Sequence, residues 1–204
     1  MTQEEKTSRT KERILKAALK EFGEKGYTAA TISAICRDNN IAKGLLYHNF
    51  TSKQELYLAC VSRCFEEVTT YLKAQQIGTD LQRYMRLRMH YFSEHPLYSR
   101  IFFEAVLQPS PELESEIRAR RQEFDALNRE IYRSCLSALT LRKGITESIA
   151  LEYYAIMQEM FNGYFSSPAY VGKDLGEKII EHEEKLAQAL DIMLYGLAEK
   201  EHKI

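Results

Sequence analysis

The chain has 204 residues, 45% of them hydrophobic, and a formal net charge of −1 at pH 7. This length allows one ordinary domain or two small ones, and the hydrophobic fraction is ample for a core. No apolar run approaches the roughly 18 residues of a membrane-spanning helix, and the N-terminal segment MTQEEKTSRTKER lacks the apolar stretch of a secretory signal. We therefore expect a cytoplasmic protein with no membrane partner.

The near-neutral total hides a division of charge along the chain. Residues 1–53 carry ten Lys and Arg against six Asp and Glu, whereas the remainder carries 18 basic and 23 acidic residues. A basic N-terminal segment followed by an acidic body favours binding of a polyanion at the N-terminal end. Ordinary variation of a protein surface is the alternative on charge alone.

The first predicted element is a helix from about Ser8 to Lys25, which Gly26 ends as a C-terminal cap. The segment from Thr31 to Phe50 then indicates two short helices separated by a tight turn. Asparagine tolerates a left-handed backbone better than any residue except glycine, so Asn39 and Asn40 suit that turn. Two helices joined in this way are typical of a helix-turn-helix that enters DNA.

The second short helix presents polar side chains on its outer face. Lys43, Tyr47 and His48 carry donors suited to phosphates and base edges, and Gly44 leaves room for close approach to a groove wall. We predict that this face contacts DNA. A solvated helix face without a ligand is the alternative.

A long fourth helix is predicted to begin with the capping-box sequence Ser52 to Glu55 and to reach about Gln76. Lys53 lies in its first turn, beside a positive helix end that suits a DNA phosphate. Thr31 is the predicted N-cap of the second helix and exposes N–H groups of the same kind.

The rest of the chain also has the periodicity of helices, without strand alternation or repeats. Thr79 and Gln82 have the spacing of a second capping box. Helices are predicted over about 80–95, 97–107, 110–141, 146–165 and 173–200. The sequence thus predicts an all-α fold of about nine helices.

The last two predicted helices carry broad apolar stripes. Such a stripe can bury against its own domain and a second copy together, which favours a four-helix bundle between two chains. Burial within one chain is the alternative. The residues predicted at the dimer interface are Ile149, Ile156, Met160, Leu186, Leu190, Met193 and Leu197.

Two charged residues stand out in the body. Arg88 falls on an apolar stripe of the fifth helix, and Glu104 interrupts the apolar run IFFEAVL. Charges on core-facing stripes need a partner, so they indicate either a structural ion pair or a ligand pocket among aromatic rings. The predicted pocket lining is Tyr84, Arg88, Tyr91, Phe103, Glu104, Tyr153, Met157 and Phe161, a mixture that favours an apolar or aromatic ligand with a polar end.

Catalytic and metal-binding patterns find little support. The sequence has no Gly-rich phosphate loop, no G-x-S-x-G and no Cys-x-x-Cys. Cys60 and Cys64 lie four residues apart, but no further ligand is placed to complete a metal site. We therefore expect no enzyme activity, no metal and no cofactor.

From Arg13 through Leu56 the chain resembles the TetR family of bacterial ligand-responsive repressors. The segments that carry the resemblance are ILKAALKEFGEKGYTAATISAI and IAKGLLYHNFTSKQEL, which cover the first quarter of the chain. Three positions depart from the commonest family pattern: Ala42 stands where a serine often caps the recognition helix, Leu45 where a polar residue often sits, and Asn49 where an aromatic residue or histidine is frequent. These departures affect the identity of the DNA sequence more than the mode of binding.

The resemblance implies a helix-turn-helix DNA-binding domain over residues 1–55 and a ligand-binding and dimerisation domain over residues 56–204. By the same resemblance, phosphates are contacted by Thr31, Tyr47, His48 and Lys53, and bases by Lys43, Gly44 and Leu45. Leu45 cannot donate a hydrogen bond and would contact a thymine methyl group or exclude water.

The function implied is that of a homodimeric repressor, released from a palindromic DNA operator by a small-molecule effector. An activator or a co-repressor-dependent regulator of the same fold is an alternative. From another class, the alternative is a helical interaction or scaffold protein whose helix-turn-helix does not bind DNA.

Overall fold

A computed structural model of the chain describes residues 2–197, apart from the side chains of Gln3 and Leu197. This part of the chain contains ten α-helices, so the predicted all-α fold is confirmed. They are α1 (Gln3–Ala29), α2 (Ile32–Asp38), α3 (Lys43–Asn49), α4 (Lys53–Lys73), α5 (Leu81–Glu94), α6 (Pro96–Leu107), α7 (Glu114–Arg120), α8 (Gln122–Ser137), α9 (Glu147–Phe165) and α10 (Leu175–Leu197), with short 3₁₀ turns at Pro111–Leu113 and Pro168–Tyr170. No helix within these residues is long and apolar enough to cross a membrane.

Helix α1 begins earlier than predicted, because Thr2 and Glu5 form a capping box. The N–H of Glu5 donates to Thr2 Oγ1 at 3.2 Å, and the N–H of Thr2 donates to Glu5 Oε2 at 2.8 Å. The predicted break at Gly26 is confirmed, since its backbone has φ 75° and ψ 171°. Only a short irregular stretch then separates α1 from α2.

The predicted helix over residues 110–141 is divided in two. It is interrupted at Arg121, between α7 and α8, and ends at Ser137. Ile117 of α7 and Phe124 of α8 are both buried, but they belong to different compact units of the chain. Each half therefore follows its own core, and local helix periodicity does not reveal that change.

A smaller correction concerns the start of α5. The N–H of Arg83 donates to Asp80 Oδ1 at 2.8 Å, so Asp80 caps this helix. The prediction that Thr79 is the cap was wrong by one residue.

The chain divides into two compact units. The first combines the chain up to Glu67 with Phe92–Arg121, and the second combines Val68–Tyr91 with the chain from Gln122 onward. Both α4 and α5 contribute residues to each unit. The functional division predicted at residue 55 stays a prediction.

In the first unit, α6 packs along α1. The contact is close at Gly23, where an added Cβ would lie 2.8 Å from the Cβ of Leu97. The rings of Phe65, Phe92 and Phe102 form adjacent pairs with centroids 4.8 Å apart. This aromatic core joins α4, the end of α5 and α6.

In the second unit, α9 packs between α8 and α10. Tyr132 of α8 stacks on Tyr154 of α9, with ring centroids 4.4 Å apart and planes inclined by 16°. Leu186 and Leu190 of α10 are almost fully buried. This unit also encloses the charged groups described below.

Candidate nucleic-acid interface

The turn between α2 and α3 has the geometry that its sequence predicts. The N–H of Ala34 donates to Thr31 Oγ1 at 3.1 Å, which confirms Thr31 as the N-cap of α2. Asn40 has φ 49°, in the left-handed region, and the side chain of Asn39 donates to the carbonyl of Ile35 at 3.0 Å. The turn closes through a hydrogen bond from the Ile41 N–H to the Cys36 carbonyl.

Apolar anchoring fixes which face of α3 is exposed. Ile35, Ile41, Leu46 and Phe50 are buried in the first unit, with at most 4% of each residue accessible. Since Leu46 is the inward residue of a seven-residue helix, its neighbours on the opposite face must point to solvent. The orientation of α3 is therefore set by its core contacts, before any ligand binds.

The residues predicted to contact DNA share one exposed surface around α3. Leu45 is 37% exposed and Tyr47 is 50% exposed, so both large side chains are accessible to a partner. Among the described residues, no carboxylate pairs with the ammonium group of Lys43. The exposed members of the predicted set are Thr31, Lys43, Gly44, Leu45, Tyr47 and His48.

Gly44 has no packing role in the described part of the chain. A Cβ added there would meet no atom within 4 Å, and the backbone of this residue is ordinarily helical. Glycine inside a helix costs about 1 kcal/mol relative to alanine. The first turn of α3 therefore carries a destabilising residue that the protein's own packing does not require.

Lys53 differs from the rest of the set, because its side chain is half-buried. Its ammonium donates to the Thr28 carbonyl at 3.2 Å and lies 4.7 Å from the centre of the Tyr27 ring. Lys53 is also the first residue of α4, where free N–H groups point outward. It therefore joins the start of α4 to the segment that precedes α2.

The start of α4 is capped nearly as predicted. The N–H of Glu55 donates to Ser52 Oγ at 3.0 Å, while both the N–H and the hydroxyl of Thr51 donate to Glu55 Oε2. In this capping box the donor to the Glu55 side chain is therefore Thr51. These bonds hold the pKa of Glu55 below its ordinary value, with the Thr51 hydroxyl as the largest cause.

The start of α3, by contrast, has no side-chain cap. Ala42 stands at the N-cap position, with an extended backbone and no hydrogen bond from its side chain. The first N–H groups of α3 therefore have no side-chain acceptor at that position, and they lie beside exposed Lys43. Uncapped N–H groups at a helix start are favourable for binding an anion.

Comparison with known proteins agrees with this geometry. The sequence profile of the family described as bacterial regulatory proteins, tetR family, matches residues 14–60. The regulator UidR of Escherichia coli is 31% identical over 105 residues, which are 49% of this chain and 54% of UidR. The biofilm-operon negative regulator IcaR of Staphylococcus epidermidis is 36% identical over 62 residues, 30% of this chain and 34% of IcaR.

Solved structures extend the likeness of fold to almost the whole chain. The regulator FadR of Bacillus subtilis, solved with stearoyl-CoA, has a TM-score of 0.61 at 14% identity and covers 91% of this chain and 98% of its own. A tetR family transcription regulator from Shewanella sp. PV-4 has a TM-score of 0.59 at 19% identity, with 94% and 99% covered. Residues 14–60 thus match the TetR family in sequence, and almost the whole chain resembles these regulators in fold. The chain spans about half the length of the curated relatives that it matches first.

The predicted effector-binding residues do not all share one unit. Phe103 and Glu104 belong to the first unit, whereas the other six belong to the second. Phe103 is fully buried against Phe92 and Phe102. Glu104 accepts hydrogen bonds from the N–H of Tyr27 and the hydroxyl of Tyr57, so its polar atoms are already in use.

Arg88 forms a buried ion pair that sequence reasoning did not identify. Its Nε lies 2.8 Å from Glu183 Oε2, and its Nη2 donates to Glu183 Oε1 at 2.9 Å. Arg88 also donates to the Tyr84 hydroxyl, which in turn donates to Asn128 Oδ1. Glu183 lies three residues before Leu186 on the apolar stripe of α10, and that position was the available sequence signal.

The electrostatics agree with a buried ion pair between Arg88 and Glu183. Burial, the largest single influence, raises the pKa of Glu183, but Arg88 and His182 together outweigh it, so the pKa stays below its ordinary value. His182 lies beside the pair, with Nδ1 3.0 Å from Glu183 Oε1 and Nε2 3.2 Å from Asn162 Oδ1. Burial lowers the pKa of His182 below its ordinary value of 6.5. The structural ion pair that Arg88 was predicted to need is therefore present in the second unit.

The other predicted lining residues lie along one side of α5 and α9. Tyr84 and Tyr91 are buried, Met157 and Phe161 are half-buried, and Tyr153 is exposed. The predicted lining thus includes both buried and exposed side chains. Its role in binding an effector stays a prediction.

The predicted dimer residues divide into core and surface. Leu186 and Leu190 are at most 2% exposed, so they belong to the core of the second unit, and their prediction as interface residues needs correction. Ile156 and Met160 are 45% and 70% exposed on α9. Of the remainder, Ile149 and Met193 are half-buried, and the side chain of Leu197 lies outside the described residues.

Further large apolar side chains are exposed on the same two helices. Beside Ile156 and Met160, they are Tyr153 and Tyr164 on α9 and Ile180, Ile192 and Tyr195 on α10. On α9 the exposed residues include Ile156 and Met160 of the predicted set. On α10 the predicted Leu186 and Leu190 are buried by the chain's own helices, and other apolar residues are exposed.

Proposed function

We propose that this protein is a transcriptional regulator that binds an operator through the exposed face of α3. The observation that carries the proposal is the exposed set Lys43, Gly44, Leu45, Tyr47 and His48, which a buried apolar anchor holds outward. Among the described residues, none of these side chains forms a salt bridge. Basic and hydroxyl donors on a short exposed helix after a tight turn suit the major groove of DNA.

Gly44 supports a ligand that approaches the backbone closely. Within the described residues nothing lies within 4 Å of a Cβ added at Gly44, yet glycine destabilises the helix that contains it. A groove wall pressed against α3 would account for that cost. Lys43 and Leu45 then lie on either side, where they reach base edges and the thymine methyl group.

Thr31 and Lys53 would hold the sugar-phosphate backbone beside the groove. Thr31 lies at the start of α2 and Lys53 at the start of α4, so each combines its own side-chain donor with N–H groups of a helix start. The Thr28 and Tyr27 contacts place the Lys53 ammonium at the edge of the same surface. Phosphate contacts of this kind fix register without reading sequence.

We further propose that residues 1–55 form the DNA-binding domain and that residues 56–204 bind an effector and a second copy. Exposed apolar residues on α9 and α10, including Ile156 and Met160, fit an isologous interface. Two helix-turn-helix units related by a dyad would read a palindrome, with half-sites about 34–36 Å apart or a multiple of that spacing. The protein would act in the cytoplasm and would need no cofactor.

The name of one relative indicates the direction of regulation. IcaR is named as a negative transcriptional regulator, and the B. subtilis FadR structure holds stearoyl-CoA. We propose that this chain likewise represses transcription and is released by a small molecule with an apolar body. Such a ligand must bind the non-DNA conformation more tightly, and a coupling of about 1–3 kcal/mol weakens operator binding roughly 5–150-fold.

The test is selection from random DNA duplexes at low salt, followed by affinity measurements on the enriched sequence. We expect a palindrome, with affinity that falls steeply as salt rises. Lys53→Ala should weaken binding to all sequences alike, whereas Leu45→Ala should change base preference. A wild-type protein that enriches no palindrome would favour the scaffold alternative and remove the proposal.

A further inference from the structure

Glu104, in the last turn of α6, accepts hydrogen bonds from two other segments of the first unit. The N–H of Tyr27 lies 2.9 Å from its Oε1 and 3.1 Å from its Oε2. The hydroxyl of Tyr57, in α4, donates to Oε2 at 3.1 Å. We call this arrangement the Glu104 contact: its carboxylate, the Tyr27 N–H and the Tyr57 hydroxyl.

The contact depends on Gly26. The left-handed backbone of Gly26 interrupts α1, and the next N–H, that of Tyr27, points to the carboxylate. A Cβ at Gly26 would lie 2.7 Å from Glu104 Oε1, a distance that side chains do not tolerate. Glycine is therefore required here for its conformation and for the approach of the carboxylate.

The other side of the same segment carries the proposed phosphate contacts. Lys53 donates to the carbonyl of Thr28 and lies over the ring of Tyr27, whose centre is 4.7 Å from that of Tyr57. Thr31, which caps α2, follows three residues after Thr28. One carboxylate from α6 thus fixes the short segment on which both Lys53 and Thr31 depend.

Ionisation of Glu104 strengthens these bonds. Burial raises the pKa of its carboxyl, and the hydrogen bonds from Tyr27 and Tyr57 oppose that rise. Within the described residues Glu104 forms no salt bridge, so its donors are the backbone N–H and the phenol. Hydrogen bonds to a charged acceptor are roughly twice as strong as neutral ones.

We propose that Glu104 is a positioning residue for DNA binding: through the Glu104 contact, the place of α6 sets the place of Thr31 and Lys53 on the DNA-binding surface. The inference rests on the proposed function and adds a means of regulation. The chain passes from α5 to α6 through the single residue His95, and α5 up to Tyr91 belongs to the second unit. A change in the second unit that displaced α6 would therefore reach the DNA-binding surface through Glu104.

The sign of the electrostatic effect makes this proposal testable with Glu104→Gln. Removing a negative charge from a DNA-binding protein should by itself strengthen binding to the polyanion. Glutamine, however, replaces one acceptor oxygen with an NH₂ donor that faces the Tyr27 N–H and the Tyr57 hydroxyl. Positioning by Glu104 predicts weaker binding, opposite to the effect of charge alone.

The experiment compares Glu104→Gln, Tyr57→Phe and the control Glu94→Gln, which makes the same change at an exposed position of α5. Measurements are affinity for the selected palindrome, thermal unfolding, and hydrogen exchange at the Tyr27 amide. We expect Glu104→Gln to lower affinity about tenfold, the factor that corresponds to the loss of one hydrogen bond, and to speed exchange at Tyr27. Tyr57→Phe, which keeps the charge, should lower affinity severalfold, and Glu94→Gln should bind equally or slightly more tightly.

Three results would overturn the proposal. Faster exchange at Tyr27 with wild-type affinity would show that the contact does not position the surface. If the unfolded fraction of Glu104→Gln accounts for its whole loss of affinity, Glu104 has a structural role alone. If Glu104→Gln fails to fold, wild-type affinity of Tyr57→Phe would lead to the same conclusion. A wild type that selects no operator would overturn the proposed function and the inference with it.

Discussion

The α2–α3 segment and the interior of the second unit distribute polar and apolar side chains in opposite ways. In α2 and α3 most apolar residues face inward, with the exception of Leu45, and the polar ones face solvent. In the second unit Arg88, Glu183 and His182 are buried, while Met160 and Ile156 are exposed. The first arrangement needs only a ligand outside the fold. The second needs long-range pairing to keep its charges and, we infer, a second copy to cover its apolar surface.

The largest effect expected is that of breaking the buried pair. Arg88→Met leaves the Glu183 carboxylate buried without its cation and should lower the free energy of unfolding by about 3–5 kcal/mol. Adding Glu183→Leu should recover much of the loss, because no buried charge then remains unpaired. Urea unfolding of the single and double variants measures both effects.

The control for this prediction is a surface pair in the same unit. The ammonium of Lys73 lies 2.6 Å from Glu123, but both side chains are at least half-exposed. Lys73→Met should therefore cost no more than about 1 kcal/mol. Equal losses for Arg88→Met and Lys73→Met would show that the buried pair is not a distinctive support of the second unit.

Long-range pairing also explains which parts of the fold the sequence could predict. The turn at Asn40, the Thr31 cap and the break at Gly26 depend on residues within a few positions, and all three were predicted correctly. Glu183 is 95 residues from Arg88, and no local pattern joins them. The exposed set on α3 was predictable because its inward neighbours mark the opposite face.

Two errors have the same physical origin. The break at Arg121 was missed because Ile117 and Phe124 keep helical spacing while they enter different cores. Leu190 was assigned to the dimer interface because periodicity identifies an apolar face without indicating what covers it. The Thr2 cap of α1 is different, since its capping-box sequence was available and was overlooked.

The next effect concerns the apolar surface of the second unit. Met160→Glu would bury an unpaired charge in the proposed dimer interface and should cost several kcal/mol of association free energy. The monomer should stay folded, because Met160 is 70% exposed in the single chain. Light scattering at micromolar concentration should show dimers for the wild type and monomers for the variant.

Met89→Glu is the matched control for the dimer interface. Met89 is also an exposed methionine of the second unit, but it lies on α5. Met89→Glu should leave the dimer intact. A wild-type monomer, or dissociation by both variants alike, would contradict the assignment of the interface to α9 and α10.

A smaller effect separates helix capping from DNA binding. Thr31 caps α2 and Thr146 caps α9, with N–H to Oγ1 distances of 3.1 and 3.2 Å. Replacing either with alanine should cost about 0.5–2 kcal/mol of stability. Only Thr31→Ala should also weaken operator binding at a temperature where both variants are folded; equal affinities would remove Thr31 from the DNA-binding surface.

The smallest effect is a pH dependence from His182. Its pKa is lowered by burial, although Glu183 opposes the shift and Arg88 adds to it. The unfolded chain therefore takes up this proton first, so stability is complete above pH 6.5 and falls as the pH drops below that value towards the folded pKa. His182→Gln should have a shallower decline between pH 7 and 5.5 than the exposed His48→Gln, and identical slopes would contradict this origin.

Gly44→Ala tests most directly whether α3 is shaped for a ligand outside the protein. Alanine should stabilise the fold by about 1 kcal/mol, because nothing in the described chain contacts a Cβ at that position. Thr70→Ala is the control. It should give a gain in helix propensity similar to that of Gly44→Ala, at an exposed position of α4 some 25 Å along that helix from Lys53. We predict that Gly44→Ala raises the free energy of unfolding and lowers operator affinity about tenfold or more, whereas Thr70→Ala raises stability alone. Gly44→Ala with wild-type or tighter operator binding would contradict close approach of DNA to α3.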